Sequence, residues 1–304
     1  MKKLFLSLLL SAIATMAWSQ KTQIGDLHYW VYTDDGYAEV SSEPGPGLSL
    51  KSGRYQGLVA VNIPSRIHYN GISYPVTKIE YQCFMFCPTM VSVSIPNTVT
   101  YISEGAFRCC STLVEVNLPN SITCLNYSTF SSCTSLCNIT LPNSIREIKN
   151  DVFNKCSSLM SIVIPHSVQY IGDRAFYACS SLETIELGKG VSSIGEEAFH
   201  YCSSLKSVII PGNVKHIGPR AFANCSSLKT VKIEPGVISI SRETFRYCKN
   251  LQSITLPSTV ATIQYDAFYG CENLKNIFVP YGKKAFFMAR LDSQLHPLIK
   301  EIQP

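Results

Sequence analysis

The side chains of this 304-residue chain that could carry chemistry are thirteen cysteines, six histidines and a few adjacent acids. A cysteine thiolate serves as nucleophile, metal ligand or disulfide half, and each use needs its own spacing. Zinc calls for ligand pairs such as Cys-x-x-Cys or His-x-x-x-His. Neither occurs, the histidines are scattered, and Cys83-x-x-x-Cys87 alone is weak evidence for zinc. The chain also lacks Gly-x-Ser-x-Gly, His-Glu-x-x-His and a phosphate-binding glycine loop with lysine. Glu196-Glu197 could pass for a catalytic couple, but neighbours on a helical turn point apart, so the pair is expected to serve the electrostatics of a helix N-terminus. No catalytic residue, metal site or cofactor is implied.

What the cysteines do show is a period. Cys87, Cys110, Cys133, Cys156, Cys179, Cys202, Cys225, Cys248 and Cys271 recur every 23 residues, and each lies three places after a phenylalanine, from Phe84 to Phe268. Three places further on stands Leu113, Leu136, Leu159, Leu182, Leu205, Leu228, Leu251 or Leu274, with Met90 in the first unit. Flanked by inward Phe and Leu, these nine cysteines are expected to form a buried ladder in which sulfur packs as a small hydrophobe, although thirteen cysteines in an exported chain would ordinarily suggest disulfides. Outside the ladder are Cys83, in the place of a small inward Ala, and Cys109, Cys124 and Cys137. Pairing of Cys109 with Cys137 is left open.

The elements that position this ladder follow from the rest of the unit. After each Leu come two alternating β-formers, as in Val208 and Ile210, closed in most units by a proline that cannot donate within a strand. A second apolar pair three apart, such as Val214 and Ile217, predicts a second short extended segment. A single helical turn is then expected to carry the Phe, with Gly172-Asp173 or Gly195-Glu196 at its N-terminus. A unit of 23 residues cannot bury its own apolar face, so the coils must stack. The expected fold is a repeat solenoid of parallel β-strands with short helical turns, nine coils adding up to a rod roughly 45 Å long before its caps.

Leu-x-x-Val-x-Ile-Pro over Leu205–Pro211 and Val-x-x-Ile-Gly-x-x-Ala-Phe-x-x-Cys-x-x-Leu over Val168–Leu182 resemble the BspA-like leucine-rich repeat family of bacterial surface proteins. The segments Ile63–Ile79 and Val279–Gly282 are similar to that family as well. The resemblance implies a right-handed horseshoe or rod, exported, of a kind often used in adhesion or host contact. Thr98, Ser121, Ser144, Ser167 or Gly190 stand where ordinary leucine-rich repeats place Asn or Cys after the strand, so curvature is not carried over.

Residues 1–19, with Lys2 and Lys3 ahead of an apolar stretch and Ala17-Trp18-Ser19 before Gln20, read as a cleavable signal peptide. A membrane anchor is the rival reading, but the stretch is short and broken by Ser11 and Thr15. With no cysteine before Cys83 to carry a lipid and no later segment apolar enough to span a bilayer, the mature chain is expected in the periplasm or outside the cell. Residues 20–79 read as an N-terminal β cap: a hairpin from Ile24 to Val40 turning at Asp35-Gly36, a loop from Ser41 to Gly47, a degenerate first coil at Leu58–Pro64 lacking Phe and Cys, and a second hairpin turning at Asn70-Gly71. Residues 80–280 form the solenoid and 281–304 a C-terminal cap.

Removing Lys2 and Lys3 takes the net charge from +5 to +3, with basic residues spread over many coils, which argues against nucleic acid as a partner. Function is then expected to lie in surfaces. The richest outward run on the main strands is Met160, Val163, Glu183, Glu186, Lys206, Ile209, Lys229 and Lys232: acidic toward one end, basic toward the other, apolar between. A second candidate stripe, beside the Phe, holds Tyr177, His200, Tyr201, Arg246, Tyr247 and Tyr269, expected to pack over neighbouring coils, with stacking on a ligand as the alternative. The resulting expectation is a recognition or adhesion protein for a protein or glycan ligand. The alternative is a structural component of a cell-surface assembly, with self-association through the outward rows.

Overall fold

The computed structural model describes residues 19–42 and 55–303. The signal-peptide reading, Ser19 apart, and residues 43–47 of the expected loop lie outside the described residues.

The chain is a solenoid of about ten turns of parallel strands. Most strands pair with their equivalents 23 residues on, as Ile162 with Ile185 and Val208 with Val231, because a coil stacked on its own copy meets like side chains in one register. One ladder of two-residue strands runs unbroken through seven coils, from Cys124–Leu125 to Thr262–Ile263. The main ladder comes in pieces. Ala60–Asn62, Ser92–Ser94 and Glu115–Asn117 form the first, Ser161–Val163 and Thr184–Glu186 the second, and five strands from Ser207–Ile210 to Ile299–Ile302 the third. Asn138, Ile139 and Thr140, at the strand position of their own coil, join no ladder.

The phenylalanines form one column of stacked rings, with centroids 5.1 to 5.8 Å apart from Phe84 to Phe268. The degenerate coil does supply a ring: Tyr55 stacks on Phe84 at 5.2 Å, and its hydroxyl donates to Ser41 O at 2.6 Å and accepts from His28 N–H at 2.9 Å. Cys109 and Cys137 are free thiols, as are the nine ladder cysteines. The ladder thiols do more than fill space. Each donates to the carbonyl of the preceding coil's ring residue, as Cys202 Sγ to Phe176 O at 3.2 Å and Cys87 Sγ to Tyr55 O at 3.1 Å.

The segment carrying the Phe is not the helical turn the sequence suggested. Each coil places two residues in the left-handed region, for example Asp151 and Lys155, both at φ 60°, or Glu197 and Tyr201 at 55° and 61°. Glycine fills these places only at Gly105 and Gly270. A side chain there costs roughly 1–2 kcal/mol, and the alternation it creates is used in full. Asp151, Phe153 and Lys155 N–H donate to Asp173, Ala175 and Tyr177 O of the next coil at 2.7 to 3.0 Å, while Asn154 and Cys156 N–H close local turns. The Gly195 backbone lies so close to the previous coil that a Cβ there would sit 2.6 Å from Asp173 N, so this position excludes any side chain.

At the start, three antiparallel strands, β1 (Ser19–Ile24), β2 (Leu27–Tyr32) and β3 (Tyr37–Ser41), form a meander where the sequence suggested one hairpin. β1 joins through a turn at Gly25, φ 60°. Beyond β4 (Ala60–Asn62), the strands β5 (Arg66–Tyr69) and β6 (Ile72–Ile79) form the second hairpin around Asn70 and Gly71, φ 50° and 79°. β3 and the strand Tyr101–Ile102 both pair in parallel with β6, so the cap's sheet takes in the two-residue strand of one repeat, separate from the ladder that begins at Cys124–Leu125. At the far end the helix Lys284–Met288, a 3-10 helix at Ser293–Leu298 and the strand Ile299–Ile302 follow the last ring.

Candidate recognition surfaces

The eight residues singled out on the main strands are all exposed and occupy four successive coils. Met160, Glu183, Lys206 and Lys229 form one row joined by backbone bonds: Glu183 N–H to Met160 O at 2.9 Å, Lys206 N–H to Glu183 O at 3.2 Å, Lys229 N–H to Lys206 O at 2.8 Å. The second row pairs Val163 with Glu186 and Ile209 with Lys232, but the ladder is interrupted between Glu186 and Ile209. Met160, Val163 and Ile209 are 49%, 59% and 55% exposed, which is high for apolar side chains. Between the acidic and basic ends Glu183 and Lys206 pair with each other, so part of the charge contrast is neutralised within the surface. Such an exposed pair contributes about 0–1 kcal/mol to stability.

The stripe beside the Phe column packs largely on itself. Tyr177 meets His200 and Tyr201 edge-on at 5.4 and 5.8 Å, His200 stacks on Tyr201 at 4.3 Å, and the Arg246 guanidinium lies 5.0 and 5.1 Å from the rings of Tyr247 and Tyr269. Beneath it runs an arrangement the sequence reading missed. At the first left-handed position of successive coils stand Arg174, Glu197, Arg220 and Glu243, and each charge binds the next: Arg174 Nε to Glu197 Oε2 at 2.8 Å, Arg220 Nη1 to Glu197 Oε1 at 3.0 Å and Arg220 Nε to Glu243 Oε2 at 3.0 Å. Arg246 adds a bond to Glu243 at 3.1 Å. Glu197 therefore caps no helix. Its neighbour Glu196 is placed by Asp173 Oδ1 of the coil before, which accepts the Glu196 N–H at 2.8 Å.

The Glu197 side chain is only 9% exposed, and burial works against its ionised form, but the two arginines more than offset that and hold its pKa below the usual glutamate range. His200 goes the other way. Burial pushes its pKa down despite the nearby Glu197 carboxylate, Nδ1 lies 3.8 Å from Glu197 Oε1 without a hydrogen bond, and Nε2 contacts Asn224 Nδ2 at 2.9 Å. A neutral imidazole accepting from Asn224 fits that pair. The ladder thiols are likewise pushed up by burial, Cys156 to about 12, so none is a thiolate nucleophile near neutral pH.

Among the described residues no group of three or more His, Cys, Asp or Glu is placed to hold a metal ion, and no helix is long and apolar enough to cross a membrane. Residues 77–206 and 169–288 match the BspA type Leucine rich repeat region, in six copies, a non-enzymatic repeat family. Among solved structures, a leucine-rich repeat protein from Bacteroides ovatus is 23% identical, with 92% of this chain and 99% of that one covered and a TM-score of 0.57. The T. pallidum leucine-rich repeat protein is 29% identical over 69% of this chain and 91% of its own, TM-score 0.56. A leucine-rich cell surface protein from Faecalibacterium prausnitzii is 22% identical over 94% and 99%, TM-score 0.52. No curated protein matches the chain.

Proposed function

Because this chain belongs to the BspA-type leucine-rich repeat family, with more than half its length matched, we propose that it is an exported, non-catalytic recognition protein that docks a partner protein across its main-strand face. The observation that carries this reading is the set of exposed apolar side chains on four successive coils, Ile209 between the coil of Glu183 and Glu186 and that of Lys229 and Lys232, and Met160 and Val163 on the other side of the acids. Apolar anchors ringed by charge are what a protein interface uses, since a few buried anchors supply most of the binding energy. Export is supported by the signal-peptide pattern at the N-terminus.

The test is capture from host-matrix proteins, followed by affinity measurement on variants. I209A with K232A should weaken the captured partner by over about 1 kcal/mol, while Y201A with Y269A on the aromatic stripe leaves it unchanged. The reverse pattern would move the interface to the stripe. A structural role in a surface assembly is the second reading, favoured by Ile299–Ile302, which ends the main ladder with its outer edge unpaired among the described residues. Sizing chromatography separates the two: a monomer that captures a ligand supports recognition, and concentration-dependent oligomers support assembly.

A further inference from the structure

The interruption of the main ladder at Asn138–Thr140 opens a cleft of about 510 Å³ between two neighbouring coils, on the same strand face as the surface just described and one coil before Met160 and Val163. In the regular coils Val114 N–H bonds Val91 O at 2.8 Å and Ile95 N–H bonds Asn117 O at 3.2 Å. The bonds that would repeat these one coil on, Cys137 N–H to Val114 O and Leu118 N–H to Thr140 O, are not made. On the opposite side of the rod the same coils stay closed, with Phe107 N–H to Thr129 O at 3.0 Å and Cys109 N–H to Ser131 O at 2.8 Å. The two coils therefore part on the strand face, where Val114 O keeps only a weak contact from Cys137 Sγ at 4.0 Å.

Its rim carries the exposed side chains of Asn117, Asn120, Asn138 and Thr140, and Glu115 is the single charged residue. Among the described residues the side chains of Asn117 and Thr140 make no hydrogen bond, and Asn138 Nδ2 has only the weak acceptor Cys137 Sγ at 3.6 Å. The apolar walls are Val114, Val116, Leu118, Ile139 and Pro142.

We propose that this cleft is a binding site for a neutral saccharide of two or three units. A sugar presents vicinal hydroxyls that both donate and accept, and a carboxamide meets such a pair with its own donor and acceptor together. Its C–H faces suit the aliphatic walls. With no base in the lining nothing neutralises an anion, a single acid is little for a cation, and the volume lies within the 300 to 1,000 Å³ typical of small-ligand sites. The site adjoins the N-terminal end of the protein-docking face, where Met160 N–H bonds Cys137 O at 3.2 Å, but shares none of its eight residues.

The test is a glycan array followed by amide chemical-shift titration of the isotope-labelled mature chain with cellobiose, lactose and N,N′-diacetylchitobiose as probes. The expected result is saturable shifts confined to residues 115–118 and 137–140, with binding at least tenfold weaker in N117A/N138A. T184A/T230A, exposed at the strand register of Asn138 in other coils, should bind like the parent, and so should I209A/K232A, which keeps this result separate from the docking face. Because Asn117 and Asn138 are exposed, the variant's melting temperature should match the parent's. The proposal is overturned if no array sugar moves those amides at tens of millimolar, if folded N117A/N138A binds undiminished, or if a selected peptide and no sugar occupies the cleft.

Discussion

The hydrogen-bonding role of the buried thiols can be tested at Cys202. Its sulfur is fully buried, and its thiol donates to Phe176 O at 3.2 Å. That carbonyl also accepts from Cys179 N–H at 3.3 Å, so removing the thiol does not orphan it. Cys202→Ala deletes one heavy atom from a closed site, a loss close to that of a methylene, about 1 kcal/mol. The lost thiol bond, weaker than an ordinary one, adds up to about 0.5–1 kcal/mol. The sum is about 1–2 kcal/mol, or a fall in melting temperature of about 2–6 °C for a chain of this size. Cys202→Ser keeps a donor aimed at the same carbonyl and should lie between parent and alanine. If the thiol were only a small hydrophobe, the serine hydroxyl would be buried without a partner at about 1–3 kcal/mol, and serine would be the worse replacement. Scanning calorimetry of the three proteins decides the point, and a Ser variant less stable than the Ala variant refutes the thiol bond as a contributor.

Acidification should destabilise the fold in two stages. The folded-state pKa of His200 lies below its ordinary value, so the unfolded chain takes up the proton first and stability is lost as pH falls below about 6.5; urea midpoints between pH 8 and 5 should flatten in H200Q. Glu197 is likewise depressed, and its contribution disappears only as pH falls below about 4.5, through its folded-state value; E197Q should remove that stage, and an unchanged acid limb would contradict the column of ion pairs. Deleting Phe107–Thr129 or Phe176–Ala198 removes one 23-residue register either way, but the second deletion also removes Glu197 and sets Arg174 against Arg220. Both should fold, with the second melting several degrees lower; equal melting points would dissolve the argument. Tyr55→Phe keeps the ring stack and loses the bonds to Ser41 and His28, so it should cost about 1–2 kcal/mol against about 3–5 for Tyr55→Ala, read from denaturant midpoints.

The 23-residue spacing of Phe, Cys and Leu determined by itself that the chain stacks as a parallel solenoid with those side chains inside, because a unit that meets its own copy needs only register to define its packing. The exposed rows were legible for the same reason: a strand of period two points alternate residues outward, and Val163 and Ile209 do face solvent. The charge column could have been read too, since Arg174, Glu197, Arg220 and Glu243 alternate in sign at the repeat interval. A helical reading of that segment hid it by sending neighbouring acids to opposite faces. Only the tertiary structure decided that the segment runs through left-handed residues, since the bonds that offset their strain reach the next coil and leave no trace in local propensity. The same holds for Tyr55, which takes the ring position off the repeat's spacing because the cap folds back to place it, and for the thiols, whose acceptors sit 26 residues earlier. The cleft beside Asn138 is the clearest case. Its coil keeps every inward residue of the repeat, Phe130, Cys133, Leu136, Ile139 and Leu141, and differs from its neighbours in whether two strands approach closely enough to bond, a distance set by the stacking of whole coils.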